Sequence, residues 1–269
     1  MKLFTKSLRA VDLVLVSRPL EYGNSQKTKR EHMKNWLIAV AVMAAVASPL
    51  KAGDVTGKVS LEGDRPAELN LPLDPSCGAA FKKFNPGKKP KTRFYVSEKG
   101  GLGDVLVVIN GIKGGKAPTK PHVIDQRGCE YLPYVSAAQL GQVIHVLNSD
   151  PALHNVHTQP REAGNAEKNL AQLPNGPAIK FDYQKAERFL KFKCDVHPWM
   201  YAYVSLVPHQ YFAITKADGS FSVKDVPPGE YEIEAVHRKV HTGANYKGVK
   251  QKVKVSAAGG KADFTIKLQ

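Results

Sequence analysis

Cys194-Asp-Val-His197-Pro-Trp-Met200 packs a thiol, an imidazole and a thioether into seven residues and runs straight into Tyr201-Ala-Tyr-Val-Ser-Leu-Val207, which reads as a strand. No other feature constrains the fold as much. A short loop between two strands can aim all three side chains at one point, and a neighbouring strand end can supply a fourth group. His154-Asn-Val-His157, forty residues upstream, is the candidate for that role. No segment of the chain shows a long helical period, so the expected class is all-β.

One soft thiolate, two imidazoles and one thioether make an unusual donor set. Zinc favours four Cys/His ligands, hard cations favour oxygen, and c-type haem attachment needs Cys-x-x-Cys-His, which the chain lacks. A His2Cys plane with a weak axial Met belongs to mononuclear copper sites that pass one electron at a time. His154, Cys194, His197 and Met200 are therefore the candidate ligands of one copper ion. Taken singly, each has a plainer reading, since a lone Cys is usually a small buried hydrophobe and a lone Met core filler. The four together, in this order and spacing, point to copper. In an extended segment positions 154 and 157 face opposite sides, so His157 is expected to be hydrogen-bonded or exposed. His145, His209, His237 and His241 fall outside the pattern. A Cys194–His nucleophile pair is the weaker reading, because no oxyanion or third-member signal accompanies it and Met200 would have no role.

These residues resemble the cupredoxins, above all the amicyanin-like members, which carry a His-Asn-Val-His element and a Cys-x-x-His-x-x-Met loop with Pro and an aromatic residue. Glu130-Tyr-Leu-Pro-Tyr134, Gly141-Gln-Val-Ile-His-Val-Leu147 and Asn148-Ser-Asp150 are similar to the family's strand, Gly turn, strand and polar loop. The likeness spans roughly residues 118–208. It implies a Greek-key β-sandwich, copper held by His154, Cys194, His197 and Met200, and a hydrogen-bonding role for Asn155 in holding the Cys loop. It also implies that His197 reaches the surface beside Pro198 and Trp199 and passes electrons there. Core packing is the other reading of Trp199.

Strand patterns flank this region on both sides. Tyr211-Phe-Ala-Ile-Thr215, Ser220-Phe-Ser-Val-Lys224 and Tyr231-Glu-Ile-Glu-Ala-Val236 are punctuated by Asp218-Gly219 and Pro227-Pro-Gly229, and Val253-Lys-Val255 and Phe264-Thr-Ile-Lys-Leu268 follow. The Asp-Gly-x-Phe-x-Val…Val-Pro-Pro-Gly-x-Tyr-x-Ile pattern resembles the carboxypeptidase regulatory-like, transthyretin-like sandwich. Its usual opening stands at Gly57-Lys-Val-Ser-Leu-Glu-Gly63 with Pro66, and a further strand at Gly103-Asp-Val-Leu-Val-Val-Ile109. The resemblance implies a second small β-sandwich made from 53–115 and 209–269, with a cupredoxin module at 116–208 inserted between its halves. A tandem layout, with 53–115 extending the copper module's sheets, competes with it.

Met33-Lys-Asn-Trp-Leu-Ile-Ala-Val-Ala-Val-Met-Ala-Ala-Val-Ala47, followed by Ser48-Pro-Leu-Lys-Ala52, has the anatomy of a secretory signal peptide cut after Ala52. Residues 33–52 are read that way, with an uncleaved anchor as the alternative and no stable membrane span expected after cleavage. Residues 1–32 are expected to be an unstructured or non-native extension, with Met33 the expected start. Export implies a periplasmic or secreted protein. The 39 Lys/Arg and 24 Asp/Glu give a net charge of +15. Removing the nine basic and three acidic residues of 1–52 leaves +9. That balance suits an acidic partner surface or an anionic membrane face, and export argues against nucleic acid. Lys82-Lys83 and Lys88-Lys89-Pro-Lys91 read as a solvated loop. Cys77 and Cys129 are an even pair in a chain bound for an oxidising space, so a disulfide and two buried thiols both stand open.

The expected function is a one-electron carrier and not an enzyme. The family resemblance implies a redox partner such as a c-type cytochrome or a periplasmic dehydrogenase. A copper-delivery protein or a cell-envelope binding module is the alternative.

Overall fold

A computed structural model describes residues 51–240 and 246–268. The extension 1–32 and nearly all of the 33–52 signal segment lie outside the described residues, as does His241. The strands are β1 (Gly53–Glu62), β2 (Val105–Asn110), β3 (His122–Gln126), β4 (Tyr131–Leu132), β5 (Val135–Gln139), β6 (Ile144–Asn148), β7 (His154–Gln159), β8 (Asn169–Gln172) and β9 (Ile179–Phe181). They continue with β10 (Glu187–Lys193), β11 (Tyr201–Val207), β12 (Phe212–Ile214), β13 (Ser220–Val226), β14 (Gly229–His237), β15 (Val249–Val255), β16 (Gly260–Lys261) and β17 (Phe264–Lys267). Among the described residues one helix, α1 (Pro75–Phe84), interrupts them. The protein is an all-β sandwich architecture, and no helix among the described residues is long and apolar enough to cross a membrane.

Four sheets form two groups. The order β5-β11-β10-β7-β8 makes one sheet and β4-β3-β6-β9 another, both built wholly from residues 122–207. The other two, β12-β2-β14-β15 and β13-β1-β16 with β17 on β1, combine strands from residues 53–110 with strands from 212–267. Strand β2 explains how the groups adhere. Its sequence, Val-Leu-Val-Val-Ile-Asn, is an unbroken apolar run, as expected of a strand buried on both faces. Val105, Val107 and Ile109 point into one core with Val55, Val223 and Ile233. Leu106 and Val108 point the other way, into a cluster with Val135, Phe189 and Val207 from the 122–207 sheets. Each such buried side chain stabilises the fold by about 1.5–3 kcal/mol.

Helix α1 is the departure from the expected all-strand chain. Half of its residues are apolar, but Ala79 and Phe84 lie off the buried face, and these with Gly78 and the lysines hide the pattern. Local chemistry nonetheless specifies it. Asp74 caps the start by accepting from Ser76 N (2.9 Å) and Cys77 N (3.0 Å), and Pro75 opens the first turn. Cys77, Ala80 and Phe81, spaced three and four apart, form its buried face, while Lys82 and Lys83 stay exposed. Cys77 is bonded to Cys129, with Cα atoms 5.4 Å apart, so the pair is a disulfide and not two thiols. Closing this 52-residue separation is worth about 4 kcal/mol in the chain-entropy account.

Candidate metal centre

The Cys194–Met200 loop joins β10 to β11, whose ends pair at Lys193 and Tyr201. Two backbone bonds close it: Cys194 N donates to Met200 O (3.0 Å) and Met200 N to His197 O (2.8 Å). On the other side of β10 lies β7, which begins with His154 and pairs His157 with Lys193. The loop and the start of β7 are thereby brought to the same sheet end.

Three of the four expected ligands offer donor atoms to one point. His154 Nδ1 and His197 Nδ1 are 3.0 Å apart, and Cys194 Sγ is 3.7 Å from His197 Nδ1. All three donors lie within 4.8 Å of one another, and all three residues are buried. Met200 is 1% exposed and sits in the same apolar core as Cys194. His157 is elsewhere, with Nδ1 2.7 Å from Asp195 and Nε2 2.6 Å from Glu167. That is the hydrogen-bonded position its place in an extended segment requires.

The donor set fits a borderline or soft metal ion. His154 Nε2 lies 3.0 Å from Asp150 Oδ2, a carboxylate with no exposure, so Nε2 carries the proton and a neutral His154 turns the lone pair of Nδ1 inward. Two ring nitrogens facing each other at 3.0 Å beside a thiol sulfur need a proton or a cation between them. Burial opposes charge on His154, but hydrogen bonds to Asp150 and Cys194 outweigh it and raise its pKa above the usual imidazole value. Burial and the neighbouring His154 lower that of His197. Burial pushes the Cys194 thiol up, yet hydrogen bonding from His154 and from backbone N–H groups reverses this and favours the thiolate.

Two side chains hold the donors in place. Asn155 Oδ1 accepts from Asp195 N (2.6 Å) and Val196 N (3.4 Å), and Cys194 Sγ donates to it at 3.2 Å. The Asn155 backbone N–H points at Cys194 Sγ from 3.5 Å. Asp150 is held by Gly128 N on one oxygen (2.6 Å) and Cys129 N on the other (2.7 Å). Gly128 and Cys129 both have positive φ, at 68° and 54°, so successive N–H groups converge on the one carboxylate. Asn155 was expected from the sequence. Asp150 was visible only as part of a polar loop, though its place four residues before His154 is the signal that marks it.

His197 is not at an open surface. Only 8% of it is exposed, and Asp74 Oδ2, on the cap of α1, lies 3.6 Å from its Nε2. Trp199 is half-buried and donates from Nε1 to Cys129 O (3.2 Å). The disulfide draws α1 and the Cys129 turn over this side of the site, which is why the apolar exit expected at His197 is covered. Val196 and Pro198, on either side of it, remain exposed.

No family model and no curated protein matches the chain. Solved structures do. The chain is similar to a Cu(I) mutant form of amicyanin, at 18% identity over 37% of this chain and 97% of that one, with a TM-score of 0.29. It is similar to a purple cupredoxin from Nitrosopumilus maritimus at 19% identity over 32% of this chain and 98% of that one, TM-score 0.27. A copper-containing nitrite reductase from Thermus scotoductus SA-01 matches at 15% identity over 36% of this chain and 25% of its own, TM-score 0.30. Identities this low say nothing about activity.

Proposed function

We propose that this chain is an exported copper protein that carries one electron at a time, with His154, Cys194 and His197 as the strong ligands of a single ion and Met200 as a weak fourth. The observation that carries the reading is the buried convergence of two imidazole nitrogens and one thiol sulfur. Copper in such a site supplies a single electron gained or lost. The protein's part is to keep the donors still. Asp150 fixes the His154 ring, Asn155 fixes the Cys194 loop, and the apolar core around Met200 excludes water. Little rearrangement is then needed between oxidation states.

A redox protein is the natural partner, a c-type cytochrome or a periplasmic dehydrogenase presenting an acidic surface to this basic chain. Val196 and Pro198 beside His197 offer the contact. The second reading treats copper as cargo to be handed on, and the cover that Asp74 and α1 place over His197 favours it.

Replacing Met200 with Leu separates the two. For a carrier, His154, Cys194 and His197 would still hold copper, its colour would be retained, and the reduction potential would move upward because a donor that favours Cu(II) is gone. Copper lost outright from Met200→Leu, or wild-type protein that cannot cycle with a c-type cytochrome, would favour delivery.

A further inference from the structure

The disulfide lies against the two imidazoles. A carboxylate oxygen of Asp74, Sγ of Cys77 and a ring nitrogen of His197 are within 4.8 Å of one another, and so are Sγ of Cys129, a carboxylate oxygen of Asp150 and a ring nitrogen of His154. Both cysteines are 0% exposed. The proposed ligands His154 and His197 are thus each shared between the Cys194 cluster and one half of the bridge.

We propose that the dithiol form of Cys77 and Cys129 is a second metal site, for Cu(I), adjoining the first. This rests on the copper reading of His154, Cys194 and His197. Sulfur in a disulfide is a neutral, weak donor, whereas two thiolates select soft monovalent copper. The dithiol is the form in which the chain is made, before an exported disulfide oxidant removes two electrons and two protons and joins Cys77 Sγ to Cys129 Sγ. The same form returns when a dithiol reductant attacks the bridge. Its first thiolate breaks the S–S bond, its second closes its own disulfide, and the protons end on Cys77 and Cys129. In that form His154 and His197 each neighbour the Cys194 sulfur and one further thiol, His197 that of Cys77 and His154 that of Cys129. Oxidation then withdraws two thiolates and leaves a site with a single one.

The test is a Cu(I) titration of the full chain against a chromophoric Cu(I) chelator without oxygen. One sample keeps the bridge, and the other is unfolded, reduced and refolded under a phosphine. The bridged form should hold one ion per chain and the dithiol form two. One ion in both forms would overturn the second site. A bridged form that holds none would sink the carrier reading instead, in which case one ion in the dithiol form still supports the new site and none overturns it. Cys77→Ala/Cys129→Ala lacks both thiols and needs no refolding, so it should hold one ion with or without the phosphine. A second ion in that variant would place it elsewhere and overturn the proposal.

Discussion

Asp150→Asn isolates the part of the site that sequence reasoning passed over. Three N–H donors converge on this buried carboxylate: Gly128 N and Cys129 N, at 2.6 and 2.7 Å, and His154 Nε2 at 3.0 Å. Two oxygens can accept from all three. An amide of the same shape offers one oxygen, and whichever way it turns, its NH2 group faces at least one N–H. The change therefore removes a charge-assisted bond and leaves a buried donor unmatched, each worth about 1–3 kcal/mol. If the lost partner is His154, its ring is no longer fixed with Nδ1 toward Cys194. A copper affinity 10–100-fold weaker is expected from the general effect of removing such a support, which is about 1.4–2.7 kcal/mol and consistent with the hydrogen-bond figure. Competition with a calibrated chelator measures the affinity. Urea unfolding of the metal-free protein should show a loss of similar size. A variant that folds with unchanged stability and binds copper as tightly as wild type would refute the argument.

Asn155→Ala removes the acceptor for Asp195 N and Val196 N, so the metal-free protein should lose about 1–3 kcal/mol by urea unfolding and release copper to a chelator faster. Unchanged release would show that the loop holds its shape without that amide. Glu234, 2% exposed, takes a fork from Arg188 at 3.0 and 2.8 Å and further bonds from Gly248 N and Asn110 Nδ2. Burial opposes its charge, but these partners bring its pKa down from 4.5 to about 2. A lowered carboxylate pKa stabilises the fold above its unfolded value, so about 3 kcal/mol should be present above pH 4.5 and fade as pH falls toward 2. Glu234→Gln should flatten the stability–pH curve in that window, measured by urea unfolding across pH. A curve of unchanged slope would count against the ion pair.

How much could be read from the chain depended on whether the information was local. The donor types at 154, 194, 197 and 200 lie in two short motifs, and the strand alternation of Ser220–Val226 and Gly229–His237 is equally local. The unbroken apolar run of β2 announced a strand, but not that its two faces serve different cores. Helix α1 was missed because ten residues with three buried positions give too weak a period. Asp74 and Asp150 were missed for a different reason. Each acts on an imidazole through a geometry set by the Cys77–Cys129 bond, which joins residues 52 apart. The same holds for the half-buried Arg188 and the buried Glu234, a pair linking β10 to β14 that no local pattern reveals.

The most direct test of the central claim is metal loading of the purified, disulfide-bonded chain with copper and zinc in competition, followed by metal analysis and a visible spectrum. The account predicts one copper per chain and an intense sulfur-to-copper charge-transfer band in the oxidised protein. It also predicts that Cys194→Ser loses that band while keeping its β-sheet circular dichroism. A chain that returns zinc and shows no visible band would contradict it.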